Sequence, residues 1–197
     1  MNKVLLIFIS LLAISCKNPQ KNNEVEIKLT GVSDKKDVLE KQKDKCTLLV
    51  NNFPSNFKEF NRVYGYDDDT GEGDLYNQYE EDITDFFSCD KISNYTKLEK
   101  AISIGINGKW DADAIGLFQF KLLNFIKSNP NEALKILEKI PEKDASSFWY
   151  FLFDGPHPED KENLRNVNML TKLFGKDNLQ SSLLMKEYEN LLGHSSE

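Results

Sequence analysis

Leu75, Tyr79, Ile83 and Phe87 stand four residues apart, and spacing of this kind recurs along most of the chain. Apolar residues at three- and four-residue intervals lay one stripe along a helix, whereas a half-buried strand alternates every second residue. Phe57, Phe60 and Tyr64 follow Ser55 and stop at Gly65. Thr96 with Glu99 makes a capping-box pattern ahead of Ile102 and Ile106. Asn129, Pro130 and Glu132 supply an N-cap, a proline at the first helical position and an acid in the first turn, ahead of Ala133, Leu134, Ile136, Leu137 and Ile140. Pro158 opens a run through Leu164, Val167, Leu170 and Phe174 that closes at Gly175. A last run carries Leu179, Leu183, Leu184, Tyr188, Leu191 and Leu192 before Gly193.

Two segments, AIGLFQFKLLNFI (114–126) and SFWYFLF (147–153), are apolar nearly all round and are expected at the centre of the fold. Alternating patterns are scarce; EIKL at 26–29 is the one β-like run of note. The expected fold is all-α, an irregular bundle or a short helical-hairpin array of roughly eight helices. No motif recurs at a fixed period, which favours the bundle. It occupies residues 37–193 as a single domain, with 194–197 as a tail.

The first sixteen residues, MNKVLLIFISLLAISC, carry a different message. Lys3 precedes an apolar run from Val4 to Ile14 that is too short to span a bilayer as a helix, the layout of a secretory signal over 1–15. Leu12-Ala13-Ile14-Ser15-Cys16 resembles the lipobox of bacterial lipoproteins, with alanine where leucine is more usual. The resemblance implies that Cys16 becomes the first mature residue and carries the acyl chains. Lys17 in second place, with no aspartate there, implies the outer membrane facing the periplasm. Residues 16–36 are polar and charged, and serve as a flexible tether with a reach of about 25 Å.

With Cys16 acylated, two cysteines remain. Cys46 and Cys89 can bridge in an oxidising compartment, though spacing alone leaves a bridge and two separate thiols both open. Such a bridge would tie the first helix of the domain to the end of the most unusual segment in the chain.

That segment is 66–90. The chain holds 25 Lys and Arg against 32 Asp and Glu, a net charge of −7. Asp67, Asp68, Asp69, Glu72, Asp74, Glu80, Glu81, Asp82, Asp85 and Asp90 all fall here, with no base among them, so the remainder is close to neutral. An EF-hand needs glycine at position 6 of its loop and glutamate at 12, and no register starting at Asp67, Asp68 or Asp69 supplies both. A different cation site on Asp67, Asp69, Glu72 and Asp74 is the alternative, giving a cation-binding or hydrolytic envelope protein. Gly71-Glu72-Gly73 is no phosphate loop, because the carboxylate between the glycines repels phosphate. Nucleic acid is disfavoured for the same reason. Glu81 and Asp85 share a helix face opposite the apolar stripe, wet and ordinary rather than a catalytic pair.

The remaining reading is a recognition surface formed by Asp67, Asp68, Asp69, Glu72, Asp74, Tyr76, Tyr79, Glu81 and Asp85. Tyr64, Tyr66, Tyr76 and Tyr79 are interleaved with the acids, as in interface anchors, and the charge would steer a basic protein toward them. The plainer reading is a solvated face that aids solubility. His157, between prolines, fits a turn and cap, and Asp111 and Asp113 fit caps for the helix that follows. No catalytic motif, cofactor or metal set is expected. The organisation resembles that of immunity lipoproteins that neutralise a toxin in the envelope; a structural envelope lipoprotein is the further alternative.

Overall fold

Helix starts follow local chemistry, though not always at the residue the sequence suggests. The computed structural model describes residues 45–194. The signal segment 1–15, Cys16, the tether with its EIKL run and residues 195–197 of the tail lie outside the described residues. The chain enters as a helix at 45–52 (α1). Next come α2 (Phe57–Tyr64), a two-stranded hairpin of β1 (Tyr66–Asp67) and β2 (Gly71–Glu72), and a 3-10 turn (Tyr76–Gln78). Then follow α3 (Tyr79–Ser88), α4 (Asn94–Gly105), α5 (Ala114–Ser128), α6 (Pro130–Leu137), α7 (Glu142–Phe153), α8 (Lys161–Phe174) and α9 (Leu179–His194). The fold is all-α, with that hairpin the only sheet among the described residues.

The caps differ in detail from the expected ones. Asn56 is the N-cap of α2, accepting from Glu59 N, while the Glu59 carboxylate reaches back to Ser55 N and Oγ. Ser93, one turn before the expected Thr96, caps α4. Asn129 sits at the N-cap of α6, but its amide donates to Phe125 O and accepts from Asn94 instead of capping. Asp160 precedes α8, so Pro158 lies in the turn before it. Gly193 does not stop α9, which runs through it to His194. Leu164 and Leu179, expected on buried faces, are 48% and 54% exposed.

Helices two apart in the chain lie against each other. α2, α4, α6 and α8 form one series, and α3, α5, α7 and α9 the other. Of the two expected arrangements this is the hairpin array, made irregular because α4 also reaches α7 and α8 lies on α9. The turns between helices are short, so successive hairpins stack and share one core. As expected, α5 and α7 are central: Phe118, Leu122, Phe148, Trp149 and Phe151 are wholly buried. Phe53, Phe60, Tyr64, Phe86 and Phe118 pack ring against ring, with Phe53 and Phe86 stacked at 4.2 Å. Tyr64, grouped with the surface tyrosines in the sequence, is therefore a core residue.

Buried hydrogen bonds tie the core helices together, while Asn61 Oδ1 is buried without a hydrogen-bond partner among the described residues. Trp149 Nε1 donates to Gln180 Oε1, and Gln180 Nε2 to Leu137 O. Two lysines of α4 cap neighbouring helices: Lys97 Nζ lies 2.9 Å from Phe87 O and 2.7 Å from Cys89 O, and Lys100 Nζ donates to Val50, Asn51 and Phe53 carbonyls. A cation suits the negative end of a helix, but desolvation lowers both lysines from the ordinary range. Cys46 and Cys89 are joined by a disulfide, with Cα atoms 5.6 Å apart.

Candidate functional site

The acidic segment folds from its own short-range chemistry. Asp67 Oδ1 accepts from the backbone N–H of Asp69 and Thr70 and from the Thr70 hydroxyl, at 2.9–3.0 Å. This Asx-type turn closes the hairpin, and those bonds, the Thr70 N–H foremost, hold the Asp67 carboxyl below its usual range. Gly71 takes φ +83°, which favours glycine. Gly73 has a different reason. Its N–H donates to Gly65 O, and a Cβ there would stand 2.6 Å from the carbonyl oxygens of Arg62 and Val63. The two glycines serve a turn and a close backbone approach.

Beyond the hairpin the carboxylates divide. Asp74 pairs with Arg62 and Glu81 with Lys45, both at 2.7 Å and well exposed. Both bases lie outside the run and meet it only in the fold. The Lys45 bond lowers Glu81 below its usual range. Glu72 accepts from Asn77. Asp82 is half-buried and accepts the Tyr64 hydroxyl at 3.0 Å; desolvation raises its carboxyl. Among the described residues the side chains of Asp68, Asp69 and Asp85 form no ion pair.

Of the nine expected surface residues, Asp67, Asp68, Asp69, Glu72, Asp74 and Glu81 are exposed, and Tyr76, Tyr79 and Asp85 half-buried. Tyr66 is 51% exposed, and its ring lies 6.4 Å from that of Tyr76, itself 5.9 Å from Tyr79. The strip is thus a ridge of acids with a row of three tyrosines along it. It extends further than the sequence shows. Tyr76 donates its hydroxyl to the Asp113 carboxylate, which pushes the phenol up to about 12. Asp113 holds the N-cap position of α5 at φ 55° yet makes no side-chain cap, a correction to its expected role. Asp111 bonds the adjacent Ala112 N–H.

Among the described residues no three His, Cys, Asp or Glu side chains gather as a metal requires. Three of the four carboxylates of the alternative cation site turn to other tasks, Asp67 to its turn, Asp74 to Arg62 and Glu72 to Asn77, and Asp69 joins the turn through its backbone N–H. No described helix is long and apolar enough to cross a membrane.

A second feature went unseen in the sequence. A cleft of about 450 Å³ opens between α5, the 154–160 turn and the first turns of α8. Trp110 and Phe120 stand at its rim, and Gln119, Asn163 and Asn166 line it. Its one sequence signal was polar Gln119 in the middle of the apolar 114–126 run. His157 lines it too, and its backbone carbonyl accepts from Asp160 N and the Asn163 amide, the turn role expected of this segment. Compared with family models, curated proteins and solved structures, the chain matches none.

Proposed function

We propose that this protein is a lipid-anchored, non-enzymatic binding protein of the cell envelope that engages a basic protein through the 66–85 strip, in the manner of an immunity lipoprotein that neutralises a toxin. The observation that carries the reading is the outward display of Asp67, Asp68, Asp69 and Glu72 on one hairpin and of Asp74 just after it, beside tyrosines already aligned. Asp67, held by its turn hydrogen bonds, stays ionised and fixed in place, so little ordering of the hairpin tip remains for a partner to impose. Exposed pairs such as Arg62–Asp74 contribute little to folding, and a partner's arginine can exchange into them at small cost. Aromatic rings beside charge give such a surface apolar area to bury. The anchor rests on Cys16 and the signal before it.

Affinity capture from envelope extracts tests the strip, comparing the wild type with a variant in which Asp67, Asp68, Asp69 and Asp74 are all changed to asparagine. A basic protein retained by the wild type and lost by the variant supports the reading; equal recovery by both contradicts it. Cys16→Ser is expected to move the protein from the membrane to the soluble fraction.

A further inference from the structure

The cleft between α5 and α8 has chemistry that the strip lacks. Gln119 is 7% exposed, and its Nε2 donates to Phe151 O at 2.5 Å and Asp154 O at 2.9 Å. Both partners are carbonyls, so the amide nitrogen must face them and Oε1 is left as an acceptor. Asn166 is 5% exposed and takes the Lys127 ammonium on Oδ1 at 3.1 Å. An ammonium only donates, so Nδ2 is left as a donor. Asn163 spends Nδ2 on the carbonyls of His157 and Pro158, leaving Oδ1. Among the described residues these three spare groups meet no protein partner, yet none is sealed in the interior, and all three residues line the cleft. Buried amides fixed at one end and open at the other are prepared for a ligand that supplies the complement.

Charge narrows the ligand. Asp154, Asp160 and Glu162 line the cleft with Lys127, and Arg165 meets Glu162 at 2.6 Å, so the balance stays negative and disfavours anions, with Asp160 the carboxylate left open among the described residues. Trp110 and Phe120, 38% and 61% exposed, present apolar faces at the rim. The 110–113 segment joins this rim to the strip, because Tyr76 bonds Asp113.

We infer that the cleft receives an extended basic peptide segment of the partner drawn in by the strip, an inference that rests on the binding role proposed above. A peptide backbone offers an N–H for Gln119 Oε1 or Asn163 Oδ1 and a carbonyl for Asn166 Nδ2. A lysine or arginine beside it faces Asp160. A neutral sugar would use the amides and the aromatic rim but leave the carboxylates without a role.

The test titrates the full chain, ¹⁵N-labelled, with three probes: the capped pentapeptide Lys-Ala-Lys-Ala-Lys, its glutamate counterpart and tri-N-acetylchitotriose. The readouts are the side-chain amide signals of Gln119, Asn163 and Asn166 and the emission of Trp110, since Trp149, the other tryptophan, is fully buried. The lysine peptide alone should move all of these, and Asn166→Leu should weaken it by about tenfold, the loss of one buried hydrogen bond. The shift map on the wild type stands even if that variant folds poorly. Shifts confined to residues 66–85 would overturn the cleft assignment while leaving the strip's role intact. Displacement of the amide signals by chitotriose and not by the lysine peptide would overturn it, as would no shift with any probe.

Discussion

The strip and the cleft meet at the 110–113 segment but are assembled in contrasting ways. One stretch of chain, 66–85, supplies most of the strip, and its geometry comes from contacts a few residues long, such as Asp67 with Thr70. The cleft takes its walls from α5, the turn after α7 and α8, and two of its three amides are aimed by bonds spanning over thirty residues, Gln119 to Phe151 and Lys127 to Asn166. The strip carries charge on a surface that tolerates change. The cleft carries neutral amides whose other ends hold the fold together. Long-range attraction suits the first and close recognition the second.

Four perturbations separate these two regions, beginning with the largest effect. Replacing Cys46 and Cys89 by serine opens a 43-residue loop and should cost about 4 kcal/mol on chain-entropy grounds, measured by chemical denaturation. Because the bridge ties α1 to the end of α3, hydrogen exchange should rise over 45–90 before it rises around the cleft. Gln119→Leu leaves the Asp154 carbonyl without its side-chain donor and Phe151 O with only the Asp154 N–H among the described residues, and should cost about 1–3 kcal/mol, read the same way. That change should spare capture through the strip; parallel loss of both would mean the two regions are not separable.

Spectrophotometric titration of Tyr76 probes the junction. Its phenol should ionise near 12, and Asp113→Asn should bring it back toward the ordinary 10.0, since the Asp113 hydrogen bond is the foremost cause of the rise. The smallest effect is on acid stability. Asp67 and Glu81 titrate below their usual values in the folded protein, so their stabilisation is present above the unfolded values and is lost as pH falls through the folded ones. Asp82, raised by burial, works the other way and softens the slope. Melting temperature should decline below about pH 4, and less steeply in Asp67→Asn.

Much of the helical body was legible because three- and four-residue periodicity is a property of neighbours: Ile83 and Phe87 on α3, and Val167, Leu170 and Phe174 on α8, lie buried where that pattern puts them. Caps were less legible, since Ser93 and Thr96 carry equivalent hydroxyls and tertiary packing chooses between them. The hairpin escaped notice because two-residue strands have no periodicity to show. In the acidic segment, the run of carboxylates was plain, but Arg62 and Lys45, which meet Asp74 and Glu81, lie outside it in the chain. Tyr64 and Tyr66 look alike in sequence, yet one fills the core and the other stands in solvent. The cleft was invisible because its residues converge only after α5 and α8 pack.

The most direct test of the strip's role is the association rate of the captured partner, once purified, measured across rising ionic strength with the wild type and the fourfold asparagine variant. Wild-type association should be fast at low salt and fall steeply as salt is added, while the variant should be slow and nearly flat. Equal rates and equal salt slopes for the two proteins would contradict the account.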